Sequence, residues 1–311
     1  MTTPYVADFA TIASNGGRAE PAWLRATRRE GIERFESLGF PTPRNEDWHF
    51  TSVSRIAEAT FSPLRAASGQ VARGELAPFT FGHAEWPSLV FVNGRYDKSL
   101  STGVALAPGV RALDLATALR DEPALVESWL GKISPAGDRS FTALNAAFMA
   151  DGAVVHIASE SVVRLPLHLI FVSTSNAAKG VAHPRNLIVA GRNSKATVIE
   201  SYVSIGDAGY FTNAVTEIAV EAGATLAHYK IQRESQRAYH VHTIDTKQAR
   251  DSHYVSFSFA TGAELSRTNI YTLLDGEGCG ATLNGLYMGD DEQHLDHQTR
   301  IEHAQPNTYS R

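Results

Sequence analysis

"ATVIESYV" (196–203), "ATLAHYKI" (224–231), "HYVSFSFA" (253–260) and "ATLNGLYM" (281–288) are four versions of one unit. A small residue opens three of them and directly precedes the third: Ala196, Ala224, Ser252 and Ala281, separated by 28, 28 and 29 residues. The next column reads Thr197, Thr225, His253 and Thr282, and the one after it Val198, Leu226, Tyr254 and Leu283. A second half-unit keeps the same step, with Asn213, Val241, Asn269 and His297 each 28 residues apart. A period of this length, kept from about Asn186 to His303, is the mark of a solenoid in which each copy buries its apolar face only against its neighbours.

The units read as strands. They are short, rich in β-branched and aromatic residues, and tend to alternate. "AGRNS", "VEAGA" and "LDGEG" supply turn residues between them. Two strand segments per 28 residues, with parallel strands about 4.8 Å apart, make each copy one rung of a β-helix. The competing reading is a β-sandwich with evenly spaced hairpins.

The chain has 311 residues, a net charge of −5 and one cysteine. That balance predicts neither a nucleic-acid partner nor a basic membrane patch. The longest apolar run, "LPLHLIFV", is too short to span a bilayer. "MTTPYVADFA" has no secretion-signal pattern, and one cysteine gives no disulfide framework. These features predict a soluble intracellular protein. All four tryptophans and ten of the 13 prolines precede residue 151, whereas ten of the 12 histidines follow it. The expected division is an α-rich region over 1–150 and a β-helix core over 151–311, meeting near Asp151–Gly152.

Residues 1–18 are expected to be frayed. A helix is predicted over "AWLRATRREGIERFESLG" (22–39), stopped at Gly39, with Gly31 an awkward interior residue. "RNEDWHFT" (44–51) reads as a packed loop with one or two ion pairs. "SLVFVNGRYD" (88–97) reads as a hairpin around Asn-Gly. Helices are predicted at "ALDLATAL" (112–119), at "DEPALVESWLG" (121–131) with Asp121 as N-cap, and at "SFTALNAAFMADG" (140–152). This region is expected to cover the first rungs. The solenoid is expected to start with "SVVRLPLHLIFVS" (161–173), where His168 lies 28 before Ala196. At the other end, either more sequence or another subunit, a second copy at the β-helix edge included, is expected to cover the last rung.

Candidate chemistry is sparse. His294, His297 and His303, with Asp296 and Glu302 nearby, are the candidate metal ligands. His240 and His242 share one face of a strand. Imidazoles on adjacent rungs can hold zinc or iron, although polar histidines on the outer face are the plainer reading. Cys279 sits in "DGEGCGATL" (275–283), where a thiol needs a base or metal partner to react. No HExxH, GxSxG, P-loop or GxGxxG is present, and carboxylates do not gather in equivalent columns.

"GFPTPRNEDWHFT" (39–51), "ALNAAFMADGAVVHI" (143–157), "RNLIVAGRNSKATVIESYVS" (185–204), "NAVTEIAVEAGATLAHYKIQ" (213–232) and "LNGLYMGDDEQHLDHQTRIEH" (283–303) resemble, in order, segments of the SufB/SufD family of iron–sulfur cluster assembly proteins, on its SufD side. The resemblance covers about residues 20–311. It implies a right-handed parallel β-helix behind a helical N-terminal region. It implies a cytoplasmic, non-catalytic scaffold subunit that pairs with a SufB-like β-helix subunit and a SufC-like ATPase. An iron–sulfur cluster is then held transiently by the complex, with reduced flavin associated with it and no intrinsic cofactor in this chain. In the family the β-helix continues and ends in a SufC-docking helical region, after a late cysteine–histidine segment. Nothing in this sequence matches those parts, so the chain reads as C-terminally truncated, and Cys279 inherits no role. The alternatives are a β-helix carbohydrate-active enzyme, which needs clustered carboxylates, and a left-handed β-helix metalloenzyme, which needs a six-residue beat.

Overall fold

The computed structural model describes residues 3–16, 20–64, 70–102 and 108–311. Its centre is a parallel β-solenoid with two facing sheets. One sheet, the first wall, has the strand order β16-β14-β12-β10-β8-β5-β4, and the other, the second wall, β17-β15-β13-β11-β9-β6-β2-β3. The strands are β1 (Ser62–Pro63), β2 (Ser88–Val92), β3 (Arg95–Tyr96), β4 (Val110–Asp114), β5 (Ala153–Ile157), β6 (Leu167–Thr174), β7 (Gly180–Ala182), β8 (Arg185–Ala190), β9 (Lys195–Ile205), β10 (Phe211–Val220), β11 (Thr225–Arg233), β12 (Tyr239–Gln248), β13 (His253–Ala260), β14 (Leu265–Leu274), β15 (Gly280–Tyr287), β16 (His294–His303) and β17 (Tyr309–Ser310). The helices are α1 (Thr3–Gly16), α2 (Ala22–Leu38), α3 (Ser54–Glu58), α4 (Leu115–Asp121), α5 (Pro123–Trp129) and α6 (Ser140–Phe148). Among the described residues, no helix is long and apolar enough to cross a membrane.

The repeat is real, but its register is not a constant 28. In the second wall Ala196 pairs with Leu226, Leu226 with Tyr254 and Tyr254 with Ala281, steps of 30, 28 and 27. The sequence columns therefore slip by two residues at either end. A slip of two keeps the face, because side chains alternate with period two. Val198, Leu226, Tyr254 and Leu283 consequently all join the interior core, as two neighbouring stacks rather than one. In the first wall the steps from Asn213 through Val241 and Arg267 to Asp296 are 28, 26 and 29. The odd step matters: His297 pairs with Thr268, not Asn269, and turns to the opposite face. His168 is a further correction. It pairs with Ile199, not Ala196, and packs outward against Phe81 and Trp86.

The N-terminal region is built into the solenoid. β2 pairs in parallel with β6, and β4 pairs antiparallel with β5, so both walls run past the Asp151–Gly152 junction. Its helices also lie along a flank, not only over the first rungs. Leu24, Leu115, Val126, Leu130 and Met149 pack on Leu187, Val189 and Ala219 of the first wall's outer face. The Asn93-Gly94 hairpin forms as expected, with both residues at positive φ. Residues 3–16 are helical rather than frayed, because Tyr5 packs edge-on against Phe35, Phe40 and Phe148. Asp121 ends α4, and Glu122 precedes Pro123 at the start of α5. Gly31 is explained by close contact between α2 and α6: an added Cβ would sit 2.7 Å from both the Ala143 carbonyl oxygen and the Ala147 nitrogen.

Two substitutions test this packing. Leu226→Asp buries an unpaired carboxylate in the interior and should lower unfolding free energy by ~4 kcal/mol, read as a shift of the urea midpoint. Gly31→Ala should cost roughly 1–3 kcal/mol through overpacking in the same titration. An unmoved midpoint for Leu226→Asp would put that column at the surface.

Candidate functional site

Period two carries polar residues as well as apolar ones into the solenoid. Beyond Val198 the next inward positions of β9 are Glu200 and Tyr202, and beyond Leu226 those of β11 are His228, Lys230 and Gln232. All five are at most 1 % exposed. β12 adds His240 and His242, both at 0 %. One half of the lumen is therefore aliphatic and the other polar. A ladder of stacked rings from successive strands, Phe91, Phe171 and Tyr202 with centroids 4.8 and 4.7 Å apart, runs into the polar half.

Glu200 is its centre. It accepts hydrogen bonds from Tyr202 Oη (2.9 Å), Thr216 Oγ1 (2.9 Å), His228 Nε2 (3.1 Å) and Asn186 Nδ2 (3.3 Å). Burial pushes its carboxyl up, but the bond and charge of His228 and the hydroxyl donors outweigh that and hold it below its ordinary value. With Glu200 ionised, His228 donates to it from Nε2, and His228 Nδ1 lies 3.2 Å from Tyr254 Oη. Thr216 gives its one proton to Glu200, so it accepts from His242 Nε2 (3.0 Å). A second buried carboxylate, Glu234, accepts from Thr212 (2.8 Å) and Gln232 (3.1 Å) and lies 2.7 Å from His240 Nδ1. Lys230, the register partner of Glu200, donates to Thr268 Oγ1 (3.0 Å). Burial pulls its amine down to about 7, although the charges of Glu234 and Glu200 oppose this.

The histidines do not sit where the sequence reading puts them. His240 and His242 line the lumen, not the outer face. His294, His297 and His303 form no common centre, and among the described residues no three His, Cys, Asp or Glu side chains converge as metal ligands. His294 meets Thr51 (3.0 Å), and the exposed His303 meets Thr308 (2.8 Å) and Ser310 (3.1 Å). His297 continues the inward column of His242 and Thr268, and Gly285 leaves room for its ring. Burial, then the Lys230 charge, lower His297 to about 4. Cys279 is buried against Leu274 and Ala281, and burial raises its thiol. The signal that the reading missed is plain afterwards: parity from Val198 and Leu226 leads straight to Glu200, His228 and Lys230.

A second cluster joins the N-terminal loop to the solenoid. The Arg267 guanidinium lies 4.0 Å over the Trp48 ring, donates to the Asp47 carbonyl and pairs with Asp296 at 2.6 Å. Beside it, a cleft of about 380 Å³ is lined by Lys132, Arg139, Asp245 and Tyr271 among others. Arg139 is committed there to a two-pronged bond with Asp245 (2.8 and 2.9 Å).

Comparison with known proteins places this architecture. Residues 3–169 match the SufBD protein N-terminal region, and residues 171–311 match the SufBD core domain of the SUF iron–sulfur cluster assembly system. The chain belongs to the SufBD family of iron–sulfur cluster assembly proteins. It is 30% identical over 259 residues to a SufBD family protein of Synechocystis, covering 81% of this chain and 56% of the relative. It is 28% identical over 303 residues to Escherichia coli SufD, covering 93% and 67%. It is 26% identical over 295 residues to Bacillus subtilis SufD, covering 91% and 65%. The chain thus spans between about half and two thirds of the length of these relatives. Membership in this family replaces the carbohydrate-active alternative. The two-walled rungs, stepping by 26 to 30 residues between β9 and β16, replace the six-residue left-handed coil.

Lys230 gives the SufBD chain a measurable pH dependence. Its amine titrates near 7 when folded and at 10.5 when free. Between those values the unfolded chain holds the extra proton, so stability rises with pH, by up to about 1.4 kcal/mol per pH unit from this one group. Lys230→Met should flatten the gain in unfolding free energy between pH 7 and 9.5. An unchanged slope in the variant would remove Lys230 from the buried network.

Proposed function

We propose that this chain is the SufD-type, non-catalytic scaffold subunit of a SufBCD-type complex, working in the cytoplasm beside a SufB-like β-helix subunit and a SufC-like ATPase. One observation carries the reading: similarity to SufD relatives runs through both the helical region and the solenoid, over 93% of this chain in one case. The interior chemistry agrees with it. Glu200 and Glu234 are saturated by donors of the same chain, which suits a rigid support better than a centre that must release and rebind protons on a substrate. On this reading the iron–sulfur cluster is cargo of the assembled complex, and reduced flavin, where it takes part, belongs to the complex rather than to this chain.

The test is co-expression of the tagged chain with a SufB-like protein and a SufC-like ATPase from the same genome. A ternary species should co-elute in size exclusion, with the ATPase activity abolished by a SufC-site mutation and unaffected by Lys230→Met. Elution of the chain alone, or solely with a second copy of itself, would overturn the proposal.

A further inference from the structure

The lumen holds two imidazoles that are only half used. His242 donates from Nε2 to Thr216, which leaves Nδ1 as a bare lone pair with no partner. His240 Nδ1 lies 2.7 Å from a Glu234 carboxylate oxygen without the alignment of a hydrogen bond, and its Nε2 has no partner either. The Tyr202 ring lies against both, at 5.0 and 5.2 Å between centroids, and the two imidazoles are 5.9 Å apart. All three side chains are at most 1 % exposed. An interior nitrogen without a partner is tolerable while it is a lone pair; once it carries a proton it is an unpaired donor on a buried cation.

We propose that β12 is an acid-sensitive seam in the solenoid wall: protons on His242 Nδ1 and His240 Nε2 find no acceptor in the lumen and are accommodated by parting β12 from β10 and β14.

The surroundings argue for opening rather than quiet protonation. β9 faces the pair with Tyr202 and with Glu200, 3.8 Å from His242 Nε2, β11 faces it with His228 and Lys230, and Glu234 follows directly after β11. β16 contributes His297, and β13 contributes Tyr254. β10 and β14 offer Thr212, Thr216, Ser266 and Thr268, none of which titrates in this range. Glu200 is filled by donors from Tyr202, Thr216, His228 and Asn186. Glu234 is already engaged by Thr212 and Gln232. Lys230 adds a like charge. Burial, and then that charge, hold both imidazoles below their ordinary value. Parting β12 breaks two long ladders, since it pairs along ten residues with each neighbour.

Hydrogen–deuterium exchange of the full chain at pH 7.5 and 5.5, corrected for intrinsic exchange, tests the idea. Peptides covering 239–248 should exchange at least tenfold faster at pH 5.5, while the β4–β5 pair (110–114 and 153–157) stays unchanged. The double variant His240→Asn/His242→Gln keeps the donors towards Glu234 and Thr216 but cannot gain a proton, and should lose that pH dependence. Equal exchange at the two pH values in the unaltered protein, or an unchanged acid response in the variant, would overturn the proposal. Should the variant not fold, imidazole nitrogen NMR of the unaltered chain decides: protonation of His242 must coincide with loss of β12 amide protection. A charged His242 inside a protected β12 would sink the seam.

Discussion

Parallel, in-register pairing is the constraint from which the remainder follows. Each inward side chain has one neighbour on the rung below, one on the rung above and a third across the lumen. In the column of Ala196, Leu226, Tyr254 and Ala281 the aliphatic members meet this condition by packing alone, and Tyr254 turns its hydroxyl to His228. A polar column must find its partners inside, because a buried group left unpaired costs more than a made bond returns. Glu200 meets the condition with four donors from four strands, and Lys230 one rung on meets it with Thr268. The polar half of the lumen is thus a nearly closed circuit, and His240 and His242 are the titratable places where it is left open.

The outer faces obey a different rule. On the first wall, Leu187, Val189 and Ala219 are apolar on the side away from the lumen, so they need a cover, and the N-terminal helices provide it. That cover is fastened by charge. Arg185 and Glu217, both fully buried, bond to each other at 2.7 Å, while Glu217 accepts from the backbone nitrogens of Gly131, Ile133 and Ser134. A buried ion pair with this many extra bonds does more to fix one arrangement than to add net stability. Arg139 with Asp245, and Arg267 with Trp48 and Asp296, repeat the device further along the wall. The N-terminal region and the solenoid consequently form one interlocked unit across the Asp151–Gly152 junction.

How much of this was legible in the residues follows from parity. The β-helix, the inward columns and the Asn-Gly hairpin could be read because each depends on a period or on one turn. Register could not be read in full: rung length depends on how many residues each bend takes, and those bends vary from rung to rung. A variation of two residues leaves every face correct, as at Ala224. A variation of one inverts a strand, which is why His297 turned from a surface ligand candidate into a lining residue. The buried histidines were misjudged for a related reason. Histidine is polar, and polarity alone favours the surface; only extending the Val198–Leu226 parity by two residues at a time reveals that Glu200 and His228 must be inside together. The helical cover was legible as helices but not as a flank, because nothing local states which sheet face a helix will meet.

A polar interior is an unusual choice for a solenoid, since aliphatic stacking alone would hold the coil. The charges it contains act against uniform packing: Glu200 fits only beside donors, and Lys230 only beside Thr268 and the carboxylates. They therefore fix which rung lies on which, a matter on which interchangeable Val, Leu and Ile columns are nearly silent. Slippage by one whole rung would set Glu200 against apolar Ile244 and strand His242 away from Thr216. A solenoid whose copies are similar enough to be mistaken for one another needs such a mark, and the in-register run of Leu169, Glu200, Lys230, Ser258 and Gly285 supplies it, because no two of its members are exchangeable.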